Sequence, residues 1–178
     1  MRRSLIAASG IFAVGALLAS AAFALRTQSV EGRAAKPAPA ASAQAGTTGK
    51  AAELAAAAEI EPAALARLLQ ESKGEKPVVL HVGFKNFYGQ SRIPGSDYAG
   101  PGSTPEGLSV LRKRVESLPR KQFIVLYCGC CPWDKCPNAK PAYDALRDMG
   151  FSNVKVLHIA ENFGANWANA GLPVTKGE

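Results

Sequence analysis

Apolar and polar positions along the chain follow two periodicities, which predict strands alternating with helices. Short apolar runs rich in β-branched residues cover residues 77–82, 123–127 and 154–159, and these lengths suit buried strands. Apolar residues recur at helical spacing over residues 60–69, between Thr104 and Pro119, and over residues 138–149. This alternation predicts an α/β fold with a parallel sheet of about five strands and helices on both faces.

The segments between these elements carry weaker patterns. Residues 83–107 are rich in Gly, Pro, Ser and Tyr and predict one long connection, with a turn at Arg92-Ile-Pro-Gly-Ser96. Residues 162–170 predict a short helix in which Phe163 and Trp167 share one face, and we expect both rings to lie in the core.

The N-terminal part of the chain differs from the rest in composition. Residues 1–25 combine Arg2 and Arg3 with an apolar, Ala-rich stretch and an Ala-x-Ala cleavage pattern, which is typical of a signal peptide or an N-terminal membrane anchor. Residues 26–58 are rich in Ala and Pro and predict a disordered linker, so the folded domain is expected over residues 59–176. We therefore expect an exported protein, either periplasmic or anchored facing the periplasm.

The charge of the chain belongs mostly to this N-terminal part. The formal net charge is +7, but residues 1–50 hold six basic residues and one acidic residue and so carry +5 of it. The remaining fifteen basic and thirteen acidic residues give the domain only +2. Because no basic face with interleaved aromatic residues is present, nucleic acid is not an expected partner. A membrane is expected as a partner only through an uncleaved N-terminal segment.

All four cysteines lie in one loop between the strand at 123–127 and the helix at 138–149; they are Cys128, Cys130, Cys131 and Cys136. A helix N-terminus favours anions through its free N–H groups and its dipole, which lowers the pKa of a nearby thiol. Cys128 is the first loop residue, and we expect it to be a reactive thiolate held by backbone amides.

Several short motifs, in their order along the chain, resemble the rhodanese-like (sulfurtransferase) family. They are the strand at 78–82, Arg92-Ile-Pro-Gly-Ser96, the strand and cysteine at 124–128, and the segments at 150–154 and 167–174. The resemblance implies a single rhodanese-like domain without cofactor or metal. It further implies that Cys128 is the nucleophile, which accepts a sulfane sulfur as a persulfide and passes it to a thiophilic acceptor. The implied partners are a small sulfane-sulfur donor or thiol acceptor and, in addition, a redox protein.

The loop also departs from the pattern of that family. The loop is longer, and its only basic side chain is Lys135. Outside the loop, Arg92 replaces the histidine of the family's turn, and Gly83 replaces an arginine. Lys135, Arg92 and Gly129 are the candidate substrate-binding residues. The two cations either attract an anionic sulfur donor or are solvated surface charges.

Three interpretations of the cysteine loop stay open. In the first, Cys128 attacks and Cys130, Cys131 or Cys136 resolves or assists, as in thiol–disulfide exchange. In the second, the four thiolates bind a soft metal ion such as Cu(I) or Zn²⁺, although C-x-C-C-x4-C is not a standard zinc spacing. In the third, a disulfide closes the loop of a non-catalytic domain.

Three further side chains have predicted positions. His81 is expected to be a hydrogen-bonded strand residue rather than a catalyst. His158 follows the last predicted strand and is a candidate to face the site, because sites of parallel sheets lie at the carboxyl ends of strands. Trp133 is expected to pack over the loop or to contact a partner.

Overall fold

The computed structural model describes residues 51–71, 73–74 and 76–177, and its centre is a parallel sheet. The five strands are β1 (Glu59–Ile60), β2 (Val78–His81), β3 (Asp97–Tyr98), β4 (Ile124–Tyr127) and β5 (Val154–Leu157). Their order is β1-β5-β4-β2-β3, and every neighbouring pair is parallel. The predicted α/β class and the five-stranded parallel sheet are confirmed.

Four helices flank the sheet: α1 (Pro62–Gln70), α2 (Lys85–Gln90), α3 (Pro105–Val115) and α4 (Ala139–Asp148). Thr104 caps α3 as predicted, because its Oγ1 accepts a hydrogen bond from the backbone N–H of Gly107 at 3.0 Å. The predicted helix at residues 162–170 is a π-helical turn, Gly164–Ala168.

Strand β4 separates two hydrophobic clusters, because its side chains alternate between the faces of the sheet. Ile124 and Leu126 pack with residues of α3 and α4, including Leu111 and Leu146. On the opposite face, Val125 and Tyr127 pack with α1 and with the two rings predicted to be core; these partners are Leu65, Phe163 and Trp167. All four residues of β4 are buried, so the strand leads from the middle of the core directly into the cysteine loop.

Helix α2 and strand β3 lie in the segment predicted to be one long connection. No side chain of α2 is buried, so the sequence has no apolar stripe at helical spacing that would predict this helix. Strand β3 has only two residues, too few for a period-two pattern. The turn predicted at Arg92-Ile-Pro-Gly-Ser96 docks on β4 through Tyr127, whose hydroxyl lies 2.9 Å from Ser96 Oγ and accepts a hydrogen bond from the Ile93 N–H at 3.3 Å.

Ordered structure begins before the predicted domain boundary at residue 59. Ala51 is fully buried, and its N–H donates to the carbonyl of Cys136 at 3.2 Å. Residues 51–58 form two short 3-10 turns, Ala51–Glu53 and Ala56–Ala58, where the sequence predicts linker. The predicted signal or anchor segment at 1–25 and the linker through residue 50 lie outside the described residues. Within residues 51–177 as described, no helix has the length and apolarity needed to cross a bilayer.

Candidate thiol site

The cysteine loop leaves the carboxyl end of β4 and is fixed to the segment that follows β5. Gly129 has φ of 74°, and a Cβ added there would lie 2.7 Å from Phe163 Cβ. The N–H of Phe163 donates to the Gly129 carbonyl at 2.9 Å, and the N–H of Trp133 donates to the Ala160 carbonyl at 3.1 Å. Glycine is therefore required immediately after Cys128, both for its backbone angle and for the close approach of Phe163.

The loop brings the cysteine sulfurs together as free thiols. Cys128 Sγ lies 3.2 Å from Cys130 Sγ, and Cys130 Sγ lies 3.4 Å from Cys131 Sγ. Cys128 and Cys136 are buried, whereas Cys130 and Cys131 are half-buried. The predicted grouping of a nucleophile with auxiliary cysteines thus has a spatial basis, and Cys130 Sγ is in direct contact with Cys128 Sγ.

The expectation that Cys128 has a lowered pKa is wrong. Hydrogen bonds from the Cys128 thiol to the neighbouring sulfurs of Cys130, Cys131 and Cys136, together with burial, raise its pKa. The same contact with Cys128 lowers the pKa of Cys130 to about 6 and that of Cys136 to about 7. Backbone amides of Asn138 and Ala139, at the start of α4, further lower the pKa of Cys136. The helix N-terminus therefore acts on Cys136 rather than on Cys128.

A side-chain amide occupies the place predicted for backbone donors at Cys128. Asn138 is fully buried, and its Nδ2 donates to Cys128 Sγ at 3.4 Å and reaches Cys130 Sγ at 3.9 Å. The backbone N–H of Ser103 donates to Asn138 Oδ1 at 3.0 Å, which fixes the orientation of the amide. From the sequence, Asn138 was predicted only to start a helix. The signal that could have identified Asn138 is its position, because it is a polar residue between the cysteine loop and the apolar face of the following helix.

His81 forms a hydrogen bond with the backbone of Cys128. Its Nε2 lies 3.0 Å from the Cys128 carbonyl, which can only accept, so Nε2 carries the proton. Nδ1 then accepts from the Gly83 N–H at 3.4 Å. Burial lowers the pKa of His81 to about 4, so the ring is neutral near pH 7. This arrangement is that of the hydrogen-bonded strand residue predicted from the sequence.

Gly83 leaves the space that Cys128 Sγ occupies. A Cβ at position 83 would lie 3.0 Å from this sulfur and 2.9 Å from the His81 ring. Glycine at position 83 therefore leaves room for the buried ring of His81 and for the Cys128 sulfur.

An open cavity of about 570 Å³ adjoins the two nearest sulfurs. Its lining combines the cysteine loop, α2, the π-helical turn and the C-terminal segment; the residues are His81, Phe87, Gln90, Ser91, Cys128, Gly129, Cys130, Asn162, Phe163, Gly164, Ala168 and Lys176. Of the predicted substrate-binding residues, Gly129 lines this cavity, and Lys135 and Arg92 do not. Lys135 is exposed on the surface, and the guanidinium of Arg92 lies 4.8 Å from the centre of the Tyr88 ring. Lys176, which the sequence analysis missed, supplies a cation to the lining.

His158 and Trp133 form a separate cluster beside the loop. The two rings stack with centroids 4.6 Å apart, and His158 Nδ1 lies 2.7 Å from Glu59 Oε2. Trp133 therefore packs against His158, and His158 faces this ring rather than the large cavity. Among the described residues, no group of three or more His, Cys, Asp or Glu side chains is arranged to hold a metal ion.

The fold and site together define a parallel α/β domain with a cysteine loop at the carboxyl edge of its sheet.

No family model matches the sequence, and no curated protein matches it. Among solved structures, the Alr3790 protein from Anabaena sp. is similar with a TM-score of 0.52 and 21% identity over 66% of this chain and 92% of that chain. The rhodanese-like domain of Alr3790 is similar with a TM-score of 0.50 and 20% identity, over 67% of this chain and 79% of that chain. The BH2092 protein from Bacillus halodurans has a TM-score of 0.52 and 21% identity, with coverage of 66% and 76%. The protein therefore has a rhodanese-like fold, as its resemblance to the family implies, with an atypical cysteine-rich loop.

Proposed function

We propose that this protein is an exported rhodanese-like sulfurtransferase in which Cys128 carries sulfane sulfur as a persulfide. The observation that supports this most is the position of Cys128, which follows β4 at the carboxyl end of the strand and lines the cavity, with its Sγ 3.2 Å from Cys130 Sγ. A nucleophile at this edge of a parallel sheet can be reached by a small molecule, while the sheet holds its backbone rigid.

The proton of Cys128 has an acceptor beside it. The lowered pKa of Cys130 makes its sulfur an anion at neutral pH, and this thiolate takes the proton of the Cys128 thiol as Cys128 attacks. Asn138 Nδ2 donates to Cys128 Sγ and so stabilises the negative charge that develops there. Cys130 is thus a general base for the first step.

The first half-reaction balances without an external oxidant. The Cys128 sulfur attacks the outer sulfur of thiosulfate, the bond between its two sulfurs breaks, and sulfite leaves with the electron pair. A thiophilic acceptor then attacks the outer sulfur of the persulfide, and Cys128 leaves as the thiolate. Small sulfane-sulfur donors are the substrate class, and Lys176 on the cavity lining favours an anionic donor.

The test is sulfite release from thiosulfate by the reduced full-length protein, with cysteine persulfide as a second donor assayed by persulfide mapping. We expect wild type to release sulfite and to gain sulfur at Cys128, and Cys128→Ser to do neither. Cys128→Ser keeps a hydrogen-bond donor in nearly the same volume, and an unchanged thermal unfolding curve establishes that it folds. Sulfite release by Cys128→Ser at the wild-type rate, or no added sulfur on wild type from either donor, contradicts the proposal.

A further inference from the structure

A second sulfur beside the nucleophile changes what becomes of a persulfide at Cys128. Once Cys128 carries an extra sulfur, its own Sγ becomes an electrophile toward thiolates. Cys130 Sγ lies 3.2 Å away, within the separation of about 3–3.5 Å at which reacting atoms are held in near-attack geometry. The sulfur that takes the Cys128 proton during loading is therefore also placed to attack Cys128 Sγ once the persulfide has formed.

We propose that Cys130 cleaves the Cys128 persulfide, so that the protein releases hydrosulfide and is left with a Cys128–Cys130 disulfide that an external dithiol reduces. This inference rests on the proposed function, because it requires sulfur to be loaded on Cys128. It assigns Cys130 as the resolving cysteine and a dithiol reductant as the redox partner.

The step balances within the protein. The proton of the Cys130 thiol moves to the outer sulfur of the Cys128 persulfide anion. The Cys130 sulfur then forms a bond to Cys128 Sγ, the bond between Cys128 Sγ and the outer sulfur breaks, and HS⁻ leaves with the electron pair. The outer sulfur is reduced and the two cysteine sulfurs are oxidised. Attack by one thiolate of the dithiol, followed by closure of its own disulfide, returns both cysteines to thiols.

The loop favours Cys130 over the other two cysteines for this step. Only Gly129 separates Cys130 from Cys128, and its positive φ folds the backbone so that the two side chains meet. Asn138 Nδ2 reaches both sulfurs, at 3.4 Å and 3.9 Å, so it can stabilise charge as it moves from one to the other. Cys131 Sγ has its shortest recorded sulfur contact, 3.4 Å, with Cys130, and Cys131 lines a small cavity of about 10 Å³ instead of the large one. Cys136 is buried and lines the same small cavity.

The exposure of the two sulfurs also favours reduction of the Cys128–Cys130 disulfide by an external dithiol. Cys130 is half-buried and lines the open cavity, whereas Cys128 is almost fully buried. A dithiol entering through the cavity therefore meets Cys130 first, and Cys128 is the sulfur that leaves. The lowered pKa of Cys130 agrees with a sulfur that works as an anion in this position.

The test is a single turnover of the reduced full-length protein with one equivalent of thiosulfate and no reductant. Sulfite, hydrosulfide and the masses of cysteine-containing peptides are measured together. For wild type we expect sulfite and hydrosulfide in equal amounts and a Cys128–Cys130 disulfide. For Cys130→Ser we expect sulfite and a persistent persulfide, with hydrosulfide released at least about a hundredfold more slowly, because the intramolecular nucleophile is gone. Because Cys130 is also the base for loading, Cys130→Ser is preloaded with cysteine persulfide if its sulfite release is slow.

Cys131→Ser and Cys136→Ser keep the Cys130 thiol, and each is expected to release hydrosulfide equal in amount to its sulfite and to form the Cys128–Cys130 disulfide, whatever the change in its rate of loading. Loss of release in Cys136→Ser but not in Cys130→Ser overturns the assignment of Cys130. Sulfite without hydrosulfide from wild type, with a stable persulfide, overturns this inference and leaves the proposed function standing. Absence of added sulfur on wild type from either donor overturns both.

Discussion

Asn138 Nδ2 donates to Cys128 Sγ over 3.4 Å, and the amide that makes this contact is fully buried at the start of α4. The N–H of Ser103 holds the opposite end of the amide through Oδ1, so the NH₂ group points toward the sulfurs. A buried donor fixed in this way needs no reorganisation when charge develops on sulfur, which is the arrangement expected of an electrostatic stabiliser.

The first prediction concerns the removal of this donor. Asn138→Leu keeps the volume and removes the hydrogen bond, and we expect the loading of sulfur onto Cys128 to slow by about tenfold to a hundredfold, as for the loss of a hydrogen bond to a charged group. Sulfite release under single-turnover conditions measures the effect. Asn153→Ala, an exposed asparagine outside the site, is the control and is expected to react as wild type does. Equal rates in Asn138→Leu and wild type, with both proteins folded, would show that the amide has no role in charge stabilisation.

The second prediction concerns the order in which the thiols react with iodoacetamide. The pKa of Cys130 is lowered to about 6, so its thiolate fraction rises as the pH increases through 6 and is nearly complete at pH 8. Cys128 has a raised pKa and is buried, and it remains a protected thiol over this range. We expect peptide mapping after brief alkylation to find Cys130 modified before Cys128, at a rate that levels off above about pH 7.

Cys128→Ala is the informative variant for this profile. It removes the S–H donor that is the largest cause of the low pKa of Cys130, so the midpoint of alkylation should move to higher pH. Cys128→Ser retains a donor and should leave the midpoint closer to that of wild type. A profile for Cys130 that is the same in all three proteins would contradict the sharing of a proton between the two sulfurs.

The fold followed from the sequence because its principal elements carry regular patterns. Strand β4 is a continuous apolar run and α3 begins at Thr104 and Pro105, and both signals depend only on neighbouring residues. Helix α2 and strand β3 carry no such signal, since the helix has no fully buried residue and the strand is two residues long. Residues 51–58 are mostly alanine, and their order depends on contacts with the distant cysteine loop, including the hydrogen bond from Ala51 to Cys136.

The sequence predicts the place of the cysteine loop in the fold but not the pKa values of its thiols. Cys128 follows β4 directly, so its placement at the sheet edge required only the assignment of the strand. Its pKa depends on three other sulfurs and on burial, and the arrangement of these sulfurs follows from the path of the loop. The general effect of a helix N-terminus was correctly anticipated, but it falls on Cys136, whose sulfur faces the amides of Asn138 and Ala139.

The third prediction concerns Gly129, where two effects on stability can be separated. Gly129 and Gly171 have nearly the same positive φ, 74° and 76°. A Cβ at Gly129 would lie 2.7 Å from Phe163 Cβ, whereas nothing lies within 4 Å of one at Gly171. Gly171→Ala should therefore lose only the backbone preference, about 1 kcal/mol, and Gly129→Ala should lose a further 1–3 kcal/mol or so from overpacking. Denaturant unfolding of both variants measures the difference. Equal losses would mean that Phe163 moves aside freely.

The fourth prediction concerns His81 and the dependence of stability on pH. Burial lowers the pKa of His81 to about 4 from an ordinary value of 6.5, so the unfolded chain binds a proton at this residue before the folded protein does. The contribution of a neutral His81 to the free energy of unfolding is therefore complete above pH 6.5 and decreases as the pH falls toward 4, by up to about 3 kcal/mol.

His81→Gln retains an N–H that can reach the Cys128 carbonyl and has no titrating group, so its free energy of unfolding should decline less than that of wild type between pH 6.5 and 4. Urea denaturation at several pH values gives the free energy of unfolding of both proteins. The difference between the two values removes the contribution of the carboxylates, which both proteins share. His158→Gln replaces a half-exposed ring outside the core and should leave the decline attributed to His81 in place. Parallel curves for wild type and His81→Gln would mean that His81 is protonated as easily in the folded protein as in the unfolded chain. The hydrogen bond from its Nε2 to the cysteine loop would then not require a neutral ring.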